Sequence, residues 1–85
     1  MSLADDVREY CKGTYVDPAR QKKQRTITIR SGDVHRALKY KNRYPLVCSA
    51  LGSNRFEEMC DLRRISVEGP LNGVSTLFTF ELKQS

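Results

Sequence analysis

The sequence predicts a small single α+β domain ordered helix, strand, helix, helix, hairpin. Three observations predict it. Apolar residues recur at helical spacing in three stretches of this 85-residue chain, Leu3–Cys11, Val34–Leu38 and Leu46–Leu51. Thr26-Ile27-Thr28-Ile29 alternates at period two with β-branched residues, which suits a short strand. Thr76–Leu82 alternates again, behind a loop of turn residues at Gly69–Gly73, so two runs and their loop read as a closing hairpin.

The elements follow in order. Ser2-Leu3-Ala4-Asp5 fits a capping pattern, Leu3, Val7, Tyr10 and Cys11 share a face, and Gly13 is a natural stop, giving a helix over about 3–12. Asp17-Pro18 opens a basic connecting segment, about 17–25, that has no apolar anchor and is expected to be mobile. Ile27 and Ile29 then face inward from a short strand. Ser31 is a good N-cap and Asp33 suits a first turn, giving a second helix over about 32–40. Its narrow apolar stripe is Val34, Ala37 and Leu38, with His35, Arg36 and Lys39 pointing elsewhere. A turn, Lys41-Asn42-Arg43, leads to a third helix starting at Tyr44 or Pro45, with Leu46, Val47, Ala50 and Leu51 on one face. Gly52-Ser53-Asn54 interrupts that pattern. Arg55–Cys60 is then either a short new helix opened by Asn54, or the far limb of one kinked helix. Ile65 and Val67 alternate with Arg64, Ser66 and Glu68 as a half-exposed strand. Phe78, Phe80 and Leu82 share the inward face of the last strand.

Charge is unevenly placed. Residues 17–44 hold nine basic and two acidic side chains, whereas the segments before and after each carry one net negative charge, within a total of +5. A concentrated excess of this kind is an electrostatic footprint for a polyanion. Cys11, Cys48 and Cys60 lie in no CxxC spacing and His35 is the one histidine, so no metal and no cofactor is expected. No apolar run approaches the roughly 20 residues that span a bilayer, and the acidic start lacks signal-peptide features, so a cytoplasmic protein is expected, away from membranes. Asp5-Asp6 and Glu57-Glu58 diverge on a helix and no phosphate-binding glycine loop occurs, so no enzyme is expected.

This order resembles the winged helix-turn-helix family, over nearly the whole chain. TITI (26–29) matches the short strand between the first two helices, and SGDVHRAL (31–38) the first helix of the helix-turn-helix. KYKNR (39–43) matches the turn, YPLVCSALG (44–52) the recognition helix, and ISVEGPLNGVSTLFTFEL (65–82) the wing and its strands. The resemblance implies double-stranded DNA as partner, a role in transcription regulation, and a homodimer joined through the first helix. It aims the N-terminal end of the recognition helix at the DNA.

Phosphate contacts are then expected from Arg36, Lys39, Lys41 and Arg43. Lys22, Lys23 and Arg25 are either a second phosphate clamp or a solvated loop. Base contacts are expected from Asn42, Arg43, Tyr44 and Ser49, unless Asn42 caps the third helix and Tyr44 staples it to the core. The wing, Gly69–Gly73, has no Lys or Arg, which leaves Asn72, or Arg63 and Arg64 if these do not pair with Glu57, Glu58 or Glu81. His35 reads as a solvated side chain, with a pH switch as its alternative. The same footprint suits an RNA-binding or ribosome-associated protein. An uncharged wing with Leu71 at its tip suits a protein–protein interaction module instead. DNA binding further predicts one contiguous positive face joining residues 36–43 to 20–25.

Overall fold

The last strand in the chain lies in the middle of the sheet. The computed structural model describes residues 3–69 and 75–83. They form α1 (Leu3–Cys11), a π-helical stretch (Lys12–Val16), α2 (Asp17–Gln21), β1 (Thr26–Arg30), α3 (Ser31–Ala37), α4 (Tyr44–Leu51), α5 (Asn54–Cys60), β2 (Leu62–Glu68) and β3 (Leu77–Leu82). The sheet order is β1-β3-β2, all antiparallel, with Ile29 opposite Phe78 and Leu62 opposite Leu82. Opposed residues of an antiparallel pair project to one face. Ile27, Ile29, Leu62, Phe78, Phe80 and Leu82 are therefore buried together, and the helices supply Val7, Cys11, Val34, Val47, Leu51 and Phe56. The Phe56 and Phe80 rings meet edge to face, centroids 5.3 Å apart. The small α+β domain and the inward faces of β1 and β3 are as the sequence predicts.

The first helix is longer than predicted. Gly13 does not stop it; the backbone continues through a π-helical stretch into α2. The reason is the spacing of the buried residues, Val7, Cys11, Val16 and Ala19. Cys11 and Val16 are five apart, out of phase for an α-helix but stacked by the i→i+5 geometry of a π turn. Five residues of the expected connecting segment are thus helical, and Ala19 anchors them in the core. Arg20 is a pin rather than a free cation. Its Nη2 donates to the carbonyls of Cys60 (2.6 Å) and Asp61 (2.9 Å), and its Nη1 to that of Lys83 (2.9 Å).

Three further expectations need correction. Ser31 is not an N-cap: it is the first residue of α3, fully buried, and its N–H donates to the Thr76 carbonyl at 2.9 Å. The buried stripe of α3 is Ser31, Val34 and His35, with Leu38 half-buried, while Ala37 is exposed. Ile65 and Val67 do not share a buried face; they are 48% and 44% exposed. β2 starts earlier, at buried Leu62, and a bulge between Arg64 and Ser66 puts Ile65 out of register. Gly69, at φ +99°, sits where a Cβ would come within 2.9 Å of the Ser75 carbonyl oxygen, so only glycine fits.

The break after α4 is as the sequence predicts, but Ser53 rather than Asn54 caps α5. Its Oγ accepts from the Phe56 N–H (3.3 Å) and donates to the Ala50 carbonyl (2.7 Å). Arg8 on α1 donates to the same Oγ at 3.2 Å, tying α1 to the break. The wing tip, including Leu71 and Asn72, lies outside the described residues.

Two substitutions test this account. Arg20→Ala is expected to destabilise the fold by about 1–3 kcal/mol in urea unfolding, because three carbonyls lose a charged donor. Gly13→Ala is expected to stabilise it by about 1 kcal/mol, since a Cβ there meets nothing within 4 Å and the position is helical.

Candidate nucleic-acid interface

The turn between α3 and α4 is built from two left-handed residues and one buried ring. Lys39 (φ 59°) ends α3, where its N–H still reaches the Arg36 carbonyl at 3.1 Å. Asn42 (φ 54°) redirects the chain into α4. Arg43 is the N-cap residue of α4, with no side-chain cap, and Pro45 follows in the first turn. Asn42 therefore does not cap the helix, and its side chain is exposed.

His35 is not solvated. It is 6% exposed, and its Nε2 accepts the Arg43 backbone N–H at 3.1 Å. The ring proton therefore sits on Nδ1. Tyr44 stacks on the ring, with centroids 3.9 Å apart and planes 15° apart, and Tyr40 meets it edge-on at 6.1 Å. Tyr44 is half-buried and staples the start of α4 to α3. Burial raises the Tyr40 phenol above its ordinary value, Asp6 adds to this, and Arg43 opposes it.

Arg36, Lys39, Lys41, Asn42 and Arg43 are exposed around this frame, and Ser49 is exposed farther along α4. Lys22, Lys23 and Arg25 are exposed as well, just before β1. The structure brings residues 35–44 together as one unit. It does not join them to 22–25 by any hydrogen bond or ion pair among the described residues. Arg25 lies where β1 begins, its carbonyl accepting the Leu82 N–H, and α3 starts where β1 ends, beside Thr76. The five-residue strand, about 16 Å at 3.3 Å per residue, runs between them.

Ion pairing divides the cations. The salt bridges among the described residues are Arg8–Asp5, Lys12–Asp17, Arg55–Asp5, Arg63–Glu81 and Arg64–Glu57. None involves Lys22, Lys23, Arg25, Arg36, Lys39, Lys41 or Arg43. Arg63 and Arg64 take the glutamates that the sequence offers them, which leaves them poorly placed for phosphate. Arg64 also donates from Nη1 to the Gly52 carbonyl. Near α5 the lining is acidic instead: a 440 Å³ cavity is bounded by Asn54, Glu57, Glu58, Asp61, Leu62 and Lys83.

Burial pushes the Cys11 thiol up to about 12, with Cys60 adding to it, and pushes Cys60 up to about 11. Both are therefore protonated near neutral pH and carry little nucleophilic character. No group of three His, Cys, Asp or Glu among the described residues could hold a metal ion. No helix among them is long and apolar enough to cross a membrane. Comparison with protein-family models, curated proteins and solved structures finds no match.

His35 is the residue that sequence reasoning missed. The signal was present in the spacing of Ser31, Val34, His35 and Leu38, which is i, i+3, i+4, i+7, but two of those residues are polar. Tyr44→Ala is expected to lower stability by about 1–2 kcal/mol in thermal unfolding, and Tyr44→Phe to change it by less than about 0.5 kcal/mol, because the ring stack and not the hydroxyl holds the helix start.

Proposed function

We propose that this chain is a small winged-helix DNA-binding protein of the transcription-regulator kind. It contacts phosphates through Arg36, Lys39, Lys41 and Arg43 and presents Asn42, Arg43 and Ser49 toward base edges. One observation carries the reading. The cations of the turn are exposed and without ion pairs among the described residues, while most cations elsewhere are neutralised by acidic neighbours or hold carbonyls. Neutralised cations release few counterions on meeting a phosphate backbone; unpaired ones release them fully.

The element order supports the same reading. A helix, a short strand, two helices joined by a tight turn, and a hairpin are the parts on which the family resemblance rests, and β1 adds to the hairpin through β3. At the start of α4 the Arg43 N–H is taken by His35 and Pro45 has none, so phosphate contact there falls to the exposed side chains. Lys22, Lys23 and Arg25 form a separate contact, at the other end of β1.

A second reading, as a protein–protein interaction module, is favoured by Ile65 and Val67, exposed on the edge strand β2.

Fluorescence anisotropy with a short random-sequence duplex tests the proposal. The wild type is expected to bind at low salt and to weaken steeply as salt rises. Lys39→Ala/Lys41→Ala/Arg43→Ala is expected to lose about tenfold or more in affinity and about 2–3 in the salt slope. A structured RNA that competes more strongly than the duplex assigns the surface to RNA. No binding of either nucleic acid at low salt overturns the proposal and turns attention to Ile65 and Val67.

A further inference from the structure

We infer that His35 is a positioning residue for the basic turn: it fixes the display of Lys41, Asn42 and Arg43 without touching the ligand itself. The inference rests on the nucleic-acid reading of that turn.

One residue brackets the turn from both sides. The His35 backbone carbonyl accepts the Tyr40 N–H at 3.2 Å, and its ring Nε2 accepts the Arg43 N–H at 3.1 Å. Lys41 and Asn42 are the only residues between those two donors. The turn includes two L residues with positive φ, Lys39 and Asn42, a conformation that asparagine adopts readily and lysine at a cost. The first is held by the end of α3, through the Lys39 N–H on the Arg36 carbonyl. Asn42 is followed at once by the N–H that His35 accepts.

The ring cannot drift from that role. It is 6% exposed, stacked on Tyr44 at 3.9 Å and met edge-on by Tyr40 at 6.1 Å. An imidazole in that slot presents an acceptor at Nε2, where a phenyl ring of similar shape presents none. A purely apolar core position would be filled equally well by phenylalanine, so the acceptor distinguishes positioning from packing. A turn held before binding spares the ordering cost of its cations when they meet phosphates.

The test uses the full chain with two substitutions. His35→Phe keeps the ring and removes the acceptor. His35→Gln places an amide oxygen at about the reach of Nε2. Three quantities are read: the melting temperature, hydrogen exchange of the Arg43 amide by NMR, and anisotropy with the random-sequence duplex at several salt concentrations. His35→Phe is expected to stay folded, to exchange the Arg43 amide about tenfold faster or more, and to bind about three- to tenfold more weakly. His35→Gln is expected to restore both protection and affinity. If His35→Phe does not fold, His35→Asn takes its place, its shorter amide falling short of the Arg43 N–H, with the same two losses expected.

Wild-type affinity in a folded variant whose Arg43 amide has lost protection overturns the inference and leaves the nucleic-acid reading standing. Equal weakening by His35→Phe and His35→Gln, tracking only melting temperature, also overturns it, because packing alone would then explain the loss. A wild type that binds no nucleic acid at low salt overturns the reading beneath it, and is distinguished by needing no variant at all.

Discussion

The fold depends on β3 having two partners. Phe78, Phe80 and Leu82 are buried on the middle strand of the sheet, in one core cluster with the buried residues of the helices. β1 contributes Ile27 and Ile29 only because it pairs with β3, across 51 residues of sequence at Thr28 and Thr79, whose hydroxyls lie 3.3 Å apart. Closing so long a loop costs entropy that no local contact repays. The helices, β1 and the hairpin thus stand or fall together. The same strand settles where the turn lies. Thr76, at the foot of β3, accepts the N–H of Ser31, and that bond fixes where α3 starts.

Much of this was readable in the residues because hydrophobic period is a local property. Ile27 and Ile29, the face of α4, and the alternation at Phe78, Phe80 and Leu82 each declare themselves within a few positions. Three features were not readable, two because the chain changes period in mid-element and one because polar residues fill the buried stripe. The step from Cys11 to Val16 breaks the 3.6-residue rhythm, so Gly13 reads as an end when it is an interior residue. The bulge at Ile65 breaks the two-residue rhythm of β2, so alternation there marks no buried face. In α3 the rhythm holds, but serine and histidine occupy half of the stripe, so Ala37 reads as buried instead.

The candidate surface divides in the same way. Exposure of Arg36, Lys39, Lys41, Asn42 and Arg43 follows from composition and is as the sequence predicts. Which cations are neutralised does not follow, because the partners come from other elements: Arg63 meets Glu81 across the sheet, Arg64 meets Glu57 from α5, and Arg20 reaches three carbonyls some 40 to 63 residues away. The turn keeps its cations free because no acidic side chain among the described residues lies close enough to pair with them. Tyr44 stacks on His35 at the start of α4, the contact that a staple makes.

The π-helical stretch has a consequence for chain length. Between Cys11 and Val16 the helix carries one residue more than α geometry requires to bring its buried positions into line. Delete a residue at Gly13 or Thr14 and the spacings from Val7 become four, four and three, an unbroken α stripe. A deletion in most helices rotates everything beyond it by about 100° and ruins the contact face. Here it would relax the backbone and leave Val16, Ala19 and the Arg20 pin on their present side. The segment is a point where this chain can lose one residue and keep the same core.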